Sequence, residues 1–478
     1  MAKHLVVVVA LALGLGGIAP SAQNPATWQR RVDRIFAQWD RWDSPGCAAA
    51  LYREDKVLYA RGYGMADLEH NVPITPQTVF YAGSVSKQFT AFAAALAIQQ
   101  GHVGLDDSIR KHLPELPAYA DAITVRHLVH HTSGLRDFYT LLSIAGRRQD
   151  SLFDNPSILR IAARQKALNF PPGADYLYSN TGYTLLAMIV GRATKMSFGE
   201  FTKTQIFDPL GMTVSHFGDD ASKLVRDRAY GYTWGPKGEP RLDTPGGERV
   251  CAGGLFTNVR DLLRWDQNFY SARVGGRALI EQAEAPGALA SGKPLTYAWG
   301  LQIGKYRGLR VIEHGGSLGG YRAHLARYPD QHFSVAVLCN LSSITPGTLV
   351  QQIADVVLVD RLTEPKRAAQ PAAPAGRGGQ PADAAAPVSD AIGSPEDAAG
   401  VYVSDEIDAT FTVTARDGRL MLQRGDDLEP QVLQRAPDGQ FRFRNMIVRF
   451  ARGQDGKVDG LLVDAGRVRD IRFEKSRP

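Results

Sequence analysis

Between positions 365 and 387 the chain offers almost nothing from which a core could be made. Seventeen of these 23 residues are Ala, Pro or Gly, and none is aromatic or is Leu, Ile, Val or Met. Such a stretch reads as an extended linker, so what folds must fold on either side of it. The expected division is an export segment over 1–22, a body over 23–363, a linker over 364–393 and a smaller unit over 394–478. With 44% hydrophobic residues among 478, the chain has enough apolar surface for more than one core.

Lys3 and His4 precede an apolar run over 5–19, and small residues follow at Ala19, Ser21 and Ala22. This is the pattern of an export signal and implies a periplasmic or secreted protein. The alternative is an uncleaved membrane anchor, although the run is shorter than the ~20 residues that span a bilayer. Membrane contact is expected only in that case. The net charge is 55 − 49 = +6, too dilute for a basic face that binds nucleic acid. Cys47, Cys251 and Cys339 are too few and too far apart for a disulfide scaffold or a Cys-based zinc site. Their odd number leaves at least one thiol free or paired between chains.

In the body, Trp28, Val32, Ile35, Phe36 and Trp39 recur at helical spacing, and segments 47–53 and 56–62 read as strands around a tight Glu54-Asp55 turn. Near the body's end, 297–303, 309–313, 323–328 and 333–339 read as strands. A helix with Leu349, Val350, Ile353, Val357 and Leu362 follows. The region between, about 84–265, is mostly helical in pattern. The expectation is an α+β body, one antiparallel sheet built from both ends, flanked by helices and carrying a helical insertion. The tail alternates apolar and polar residues around Asp417-Gly418, Asp438-Gly439 and Asp455-Gly456, which predicts a small antiparallel β sandwich or barrel.

Ser84-Val85-Ser86-Lys87 opens an apolar helical stretch and puts Ser84 and Lys87 one turn apart on one face. A serine is a weak nucleophile until a base takes its proton; a shielded lysine and a helix N-terminus supply the relay and the field. Alone, Ser-x-x-Lys also describes an N-cap serine beside a solvated lysine. Tyr178-Ser179-Asn180, in a loop entering an apolar helix, adds a phenol that can act as a base and an amide that can hold the lysine and a substrate. Glu313-His314-Gly315-Gly316-Ser317 ends one expected strand, with glycines that let a carbonyl approach backbone N–H groups.

With these elements in order, the body over about 28–362 resembles the serine β-lactamase and penicillin-binding-protein superfamily, closest to its class C-like branch. His131-Thr132-Ser133-Gly134-Leu135 and Ala252-Gly253-Gly254-Leu255 are similar to further signatures of that branch. The resemblance implies a β-lactamase/transpeptidase-like fold. It implies Ser84 as acyl-accepting nucleophile, Lys87 as its proton partner and Tyr178 as base and later acid. Asn180, His314, Gly315 and Gly316 would contact substrate, and the N–H groups of Ser84 and Ser317 would form the oxyanion hole. His314 and Gly315 stand where many β-lactamases carry the Lys and Thr of Lys-Thr-Gly. A titrating imidazole then replaces a fixed charge, which speaks against antibiotic hydrolysis. The tail from about Ala398 resembles the lipocalin-like domain attached to some of these hydrolases.

Gly315-Gly316-Ser317-Leu318-Gly319 formally matches a nucleophile elbow, but an elbow needs a helix after it and a strand is expected. His127, His130 and His131 read as structural rather than metal-binding, and Cys251 as a packing residue. The expected function is an exported serine hydrolase forming an acyl-enzyme on a small-molecule or peptide amide or ester, with no cofactor and no metal. A D-amino-acid peptidase, DD-carboxypeptidase or esterase comes first and a β-lactamase second. A non-hydrolytic binding or regulatory protein on the same scaffold is the rival of another class. Oligomeric state stays open.

Overall fold

The structure, a computed structural model, describes residues 25–147, 154–218, 222–244, 253–366, 394–425, 427–436 and 439–476. The export segment, linker residues 367–393 and Cys251 lie outside the described residues.

The body is a six-stranded antiparallel sheet. Its strands are β1 (Cys47–Arg53), β2 (Lys56–Tyr63), β3 (Gln302–Tyr306), β4 (Leu309–Leu318), β5 (Tyr321–Tyr328) and β6 (Phe333–Cys339), in the spatial order β3-β4-β5-β6-β1-β2. Both chain ends of the body thus meet at its centre, where β1 pairs with β6 over its whole length. Alternation along these two strands separates two cores. Cys47, Ala49, Leu51, Phe333, Val335 and Val337 face helices α1 (Pro25–Phe36) and α4 (Pro346–Val357). Ala48, Ala50, Tyr52, Ala336 and Leu338 face the helical insertion. The Glu54-Asp55 turn has both residues at positive φ, 49° and 71°, as a two-residue hairpin loop requires.

Within the insertion, α2 (Ser86–Gln99) is buried from Ser86 to Ala97, and its run of alanines lets α3 (Asn180–Thr194) pack closely against it. A helix apolar all round belongs in an interior. Two strand expectations need correction. The expected strand over 297–303 forms only at Gln302–Tyr306, because Gly300 bends the chain at φ 71° where any Cβ would stand 2.4 Å from the Lys87 carbonyl oxygen. The Glu313–Ser317 segment does not end a strand, since β4 runs on through Leu318, paired with β5. That strand, rather than a helix, leads into β5 and excludes the nucleophile elbow.

Two of the three cysteines form a single bridge, and the odd count leaves Cys251 over. Cys47 and Cys339 form a disulfide across β1 and β6, because antiparallel register makes neighbours of residues 292 apart in sequence.

The tail is a nine-stranded antiparallel sheet whose edge strands, Gln431–Val432 and Gln434–Arg435, flank Leu433. One buried residue therefore joins both edges, and the sheet curls into a nearly closed barrel. Its core takes in Leu141 and Ile144 of the body. At the junction Arg136 pairs with Glu406 at 2.8 Å, both side chains under 5% exposed. Arg136 also donates to the carbonyls of Arg469 and Asp470. No helix among the described residues is long and apolar enough to cross a membrane.

Candidate active site

Ser84 lies on a single 3-10 turn, Gly83–Val85, directly ahead of α2. The turn is held against β4 by two glycines. At Gly316 a Cβ would stand 2.0 Å from the Ala82 carbonyl oxygen and 3.1 Å from the Ser84 nitrogen; at Gly83, with φ 53°, it would stand 2.7 Å from the Ser317 nitrogen. Only bare backbone fits, and it brings the Ser84 and Ser317 N–H groups to one place, an arrangement suited to an oxyanion.

Lys87, on the first turn of α2, is fully buried with Nζ 3.1 Å from Ser84 Oγ, and it donates to Asn180 Oδ1 at 2.8 Å. Asn180 opens α3, and its amide is oriented by Asp137, whose Oδ2 accepts both the Asn180 backbone N–H (2.7 Å) and Nδ2–H (2.8 Å). Burial pushes the lysine well below its ordinary pKa and repulsion from Arg467 adds to this, while Asp137 opposes it. The shift is toward the neutral amine, the form that can take a proton.

Tyr178 lies beside Ser84, and its ring is 4.9 Å from Lys87 Nζ. Burial raises its pKa above the ordinary phenol value, outweighing the nearby Ser84 hydroxyl and the Arg467 charge. A phenolate base therefore does not suit this environment. Burial thus shifts both groups toward their neutral forms, an amine that can take a proton and a phenol that can give one.

His314 is buried on β4. Its Nδ1 lies 2.6 Å from the Gly315 carbonyl, which can only accept, so Nδ1 carries the hydrogen and Nε2 accepts from the Tyr297 hydroxyl at 3.1 Å. Burial, with repulsion from Lys87, holds its pKa at about 3. The titrating imidazole expected at this position is thus a neutral one near pH 7, and its hydrogen bonds run to Tyr297 and Gly315.

His131 is buried with Nδ1 accepting the Ser179 N–H at 3.1 Å, its ring centred 4.2 Å from that of Tyr178. It sets the loop that presents Tyr178. His127 Nδ1 accepts the Thr124 N–H, and the ring nitrogens of His127, His130 and His131 do not gather as metal ligands among the described residues.

Ser84, Lys87, Tyr178, Asn180, Gly316 and Ser317 are therefore brought together, with His314 behind them and Gly315 beside it. Asp137 and Arg467 went unread in sequence. Asp137 is a lone acid in a loop, and Arg467 lies 380 positions from Lys87 in the other unit, so neither carried a local signal.

The chain belongs to the Beta-lactamase family, whose profile matches residues 32–358. It is 29% identical over 330 residues to a D-aminopeptidase of Gluconobacter oxydans (strain 621H), covering 69% of this chain and 62% of that protein. It is 30% identical over 299 residues to a penicillin-binding protein of Bacillus subtilis (strain 168), covering 59% of this chain and 65% of that protein. The chain thus aligns with less than two thirds of the length of either relative. Among solved structures, the octameric penicillin-binding protein homologue from Pyrococcus abyssi superposes with a TM-score of 0.61 at 21% identity, covering 94% of this chain and 99% of that one. That coverage includes the tail sheet. The D-amino acid amidase from Ochrobactrum anthropi SV3 gives a TM-score of 0.59 at 22% identity over 70% of this chain and 99% of that one.

Proposed function

We propose that this protein is an exported serine hydrolase that forms an acyl-enzyme at Ser84, acting on amides or esters with D-amino-acid peptides and amides as the first substrate class. The observation that carries the reading is a buried Lys87 amine 3.1 Å from Ser84 Oγ, oriented by Asn180 and disfavoured from protonation. Lys87 takes the hydroxyl proton as Oγ attacks the carbonyl carbon, and the oxyanion sits between the Ser84 and Ser317 N–H groups. Tyr178 passes its phenol proton to the departing nitrogen or oxygen and regains one from the proton Lys87 took. Water then attacks the acyl-enzyme by the reverse relay. The names of the Gluconobacter and Ochrobactrum proteins support the choice of D-amino-acid substrates.

Export is supported by the apolar run at 5–19 and by the Cys47–Cys339 bridge, which belongs to an oxidising compartment. The tail is proposed as a lipocalin-like domain, supported by its curled antiparallel sheet. The test is covalent labelling with a fluorophosphonate, read by intact mass, beside turnover of p-nitrophenyl esters, D-amino-acid anilides and nitrocefin. A mass shift lost in Ser84→Ala, with hydrolysis of the first two substrate types, is the expected result. No adduct and no turnover would leave the scaffold a binding protein.

A further inference from the structure

The tail touches the candidate active site through one turn. Its last hairpin joins strands Val458–Ala465 and Val468–Lys475 by the two residues Gly466-Arg467. Asn169 of the body clamps this turn with both ends of its amide. Nδ2 donates to the Arg467 carbonyl at 3.0 Å, and Oδ1 accepts the Arg469 N–H at 2.8 Å. So held, the Arg467 guanidinium carbon lies 4.6 Å from the centroid of the Tyr178 ring, and Nη1 lies 3.7 Å from Asp137 Oδ2.

That ion pair is longer than a hydrogen bond, and the same carboxylate oxygen already accepts two N–H groups of Asn180. The side chain is 22% exposed. A planar fork of donors, always charged, is thus parked on the tyrosine ring with an open side. Around it, His314 is neutral and burial disfavours the charge on Lys87. Among the described residues, Arg467 is thus a fixed positive charge on the Tyr178 ring beside Ser84.

We infer that Arg467, delivered by the tail, is a specificity-determining residue that receives a carboxylate of the substrate and replaces the cation missing at His314. This rests on the hydrolase reading above and deepens it. The preferred substrates are peptides or amides that keep a free carboxylate near the scissile bond, and a bidentate contact to the guanidinium fixes their direction. The anchor and the nucleophile then come from opposite sides of the linker, so docking of the tail completes the site.

The test uses the full chain and two substrates that differ in one group, N-acetyl-D-Ala-D-Ala and its C-terminal amide. Wild type should prefer the acid. Arg467→Ala and Arg467→Gln should lower the acid-to-amide ratio of kcat/KM about tenfold, mainly through KM, and Arg467→Lys should recover part of it. Fluorophosphonate labelling of Ser84 in each protein separates the two readings. Labelling with an unchanged ratio overturns the anchor alone. A parallel fall for both substrates also overturns it, since Arg467 would then act on the Lys87 and Tyr178 proton network. A wild type that neither labels nor turns over either substrate overturns the hydrolase reading and the anchor with it.

Discussion

The two sheets treat their edges in opposite ways. In the tail, nine strands curl until the edges Gln431–Val432 and Gln434–Arg435 adjoin through Leu433, leaving a nearly closed barrel. In the body, β3 stops opposite Glu313, so among the described residues no strand pairs with 314–318 of β4 on that side, where the Ser84 turn lies against them. An unpaired edge is ordinarily a liability that proteins cover or shorten. Here it coincides with the bare glycine backbone and the serine, and the sheet that nearly closes contributes by a turn instead. Chemistry is placed where strand pairing is incomplete, and the curled sheet serves as the mount for a side chain.

The largest effect should come from removing what the open edge serves. Ser84→Ala is expected to lower kcat/KM for a p-nitrophenyl ester at least about 10⁴-fold with the thermal midpoint unchanged. Activity within a few-fold of wild type would move the chemistry away from this edge. Next comes the junction. Arg136→Ala leaves Glu406 buried without its partner and should cost about 3 kcal/mol or more, seen in urea as an earlier transition for the tail. The double replacement of Arg136 and Glu406 by Met should regain only part of that loss, since the Arg469 and Asp470 carbonyls and the Lys166 N–H still lose their partners, and a single unshifted transition in Arg136→Ala would show that the two sheets do not depend on this pair.

Glycines sharpen the contrast. Gly316→Ala drives a methyl into the Ala82 carbonyl and should slow turnover about 100-fold by displacing the Ser84 turn. Gly418→Ala in the tail meets open space at φ 70° and should cost about 1 kcal/mol of backbone strain with no effect on rate. Equal effects on rate would erase the distinction. The smallest effect concerns acid. Burial holds His130 at about 4 and His314 at about 3, below the ordinary 6.5. The unfolded chain therefore takes these protons first, so the stability they carry is present above about pH 6.5 and is lost as pH falls toward the folded values. Residues 394–478 contain no histidine, so this imidazole part of the acid slope belongs to the body alone. His314→Gln should flatten part of it in melts between pH 7 and pH 4; an unchanged slope would show that His314 is not held neutral.

Strands 47–53 and 333–339 have the bounds expected from their short apolar runs, which are continuous because each face of β1 and β6 is buried by a different layer. The tail's meander was readable from its Asp-Gly turns. What escaped was set by distance across the fold. The fate of Cys47 depended on the register of strands far apart in sequence, and Gly300 was needed only because Lys87 passes beside it. At the site, Ser84, Lys87, Tyr178 and Asn180 stood out because their spacing is local. Asp137 and Arg467 act across helices and across the linker, where no spacing rule reaches. His314 was readable in position but not in charge, because its neutrality comes from burial and from Lys87.

The pairing of β1 with β6 also sets a clock. Cys339 follows Cys47 by 292 residues, and at 5–20 residues per second a ribosome needs roughly 15–60 s to make the second after the first. Throughout that interval the β1–β2 hairpin has no neighbour on its inner side, and a lone hairpin is marginal in water. The central seam of the body therefore cannot form until Phe333–Cys339 is present beside the hairpin.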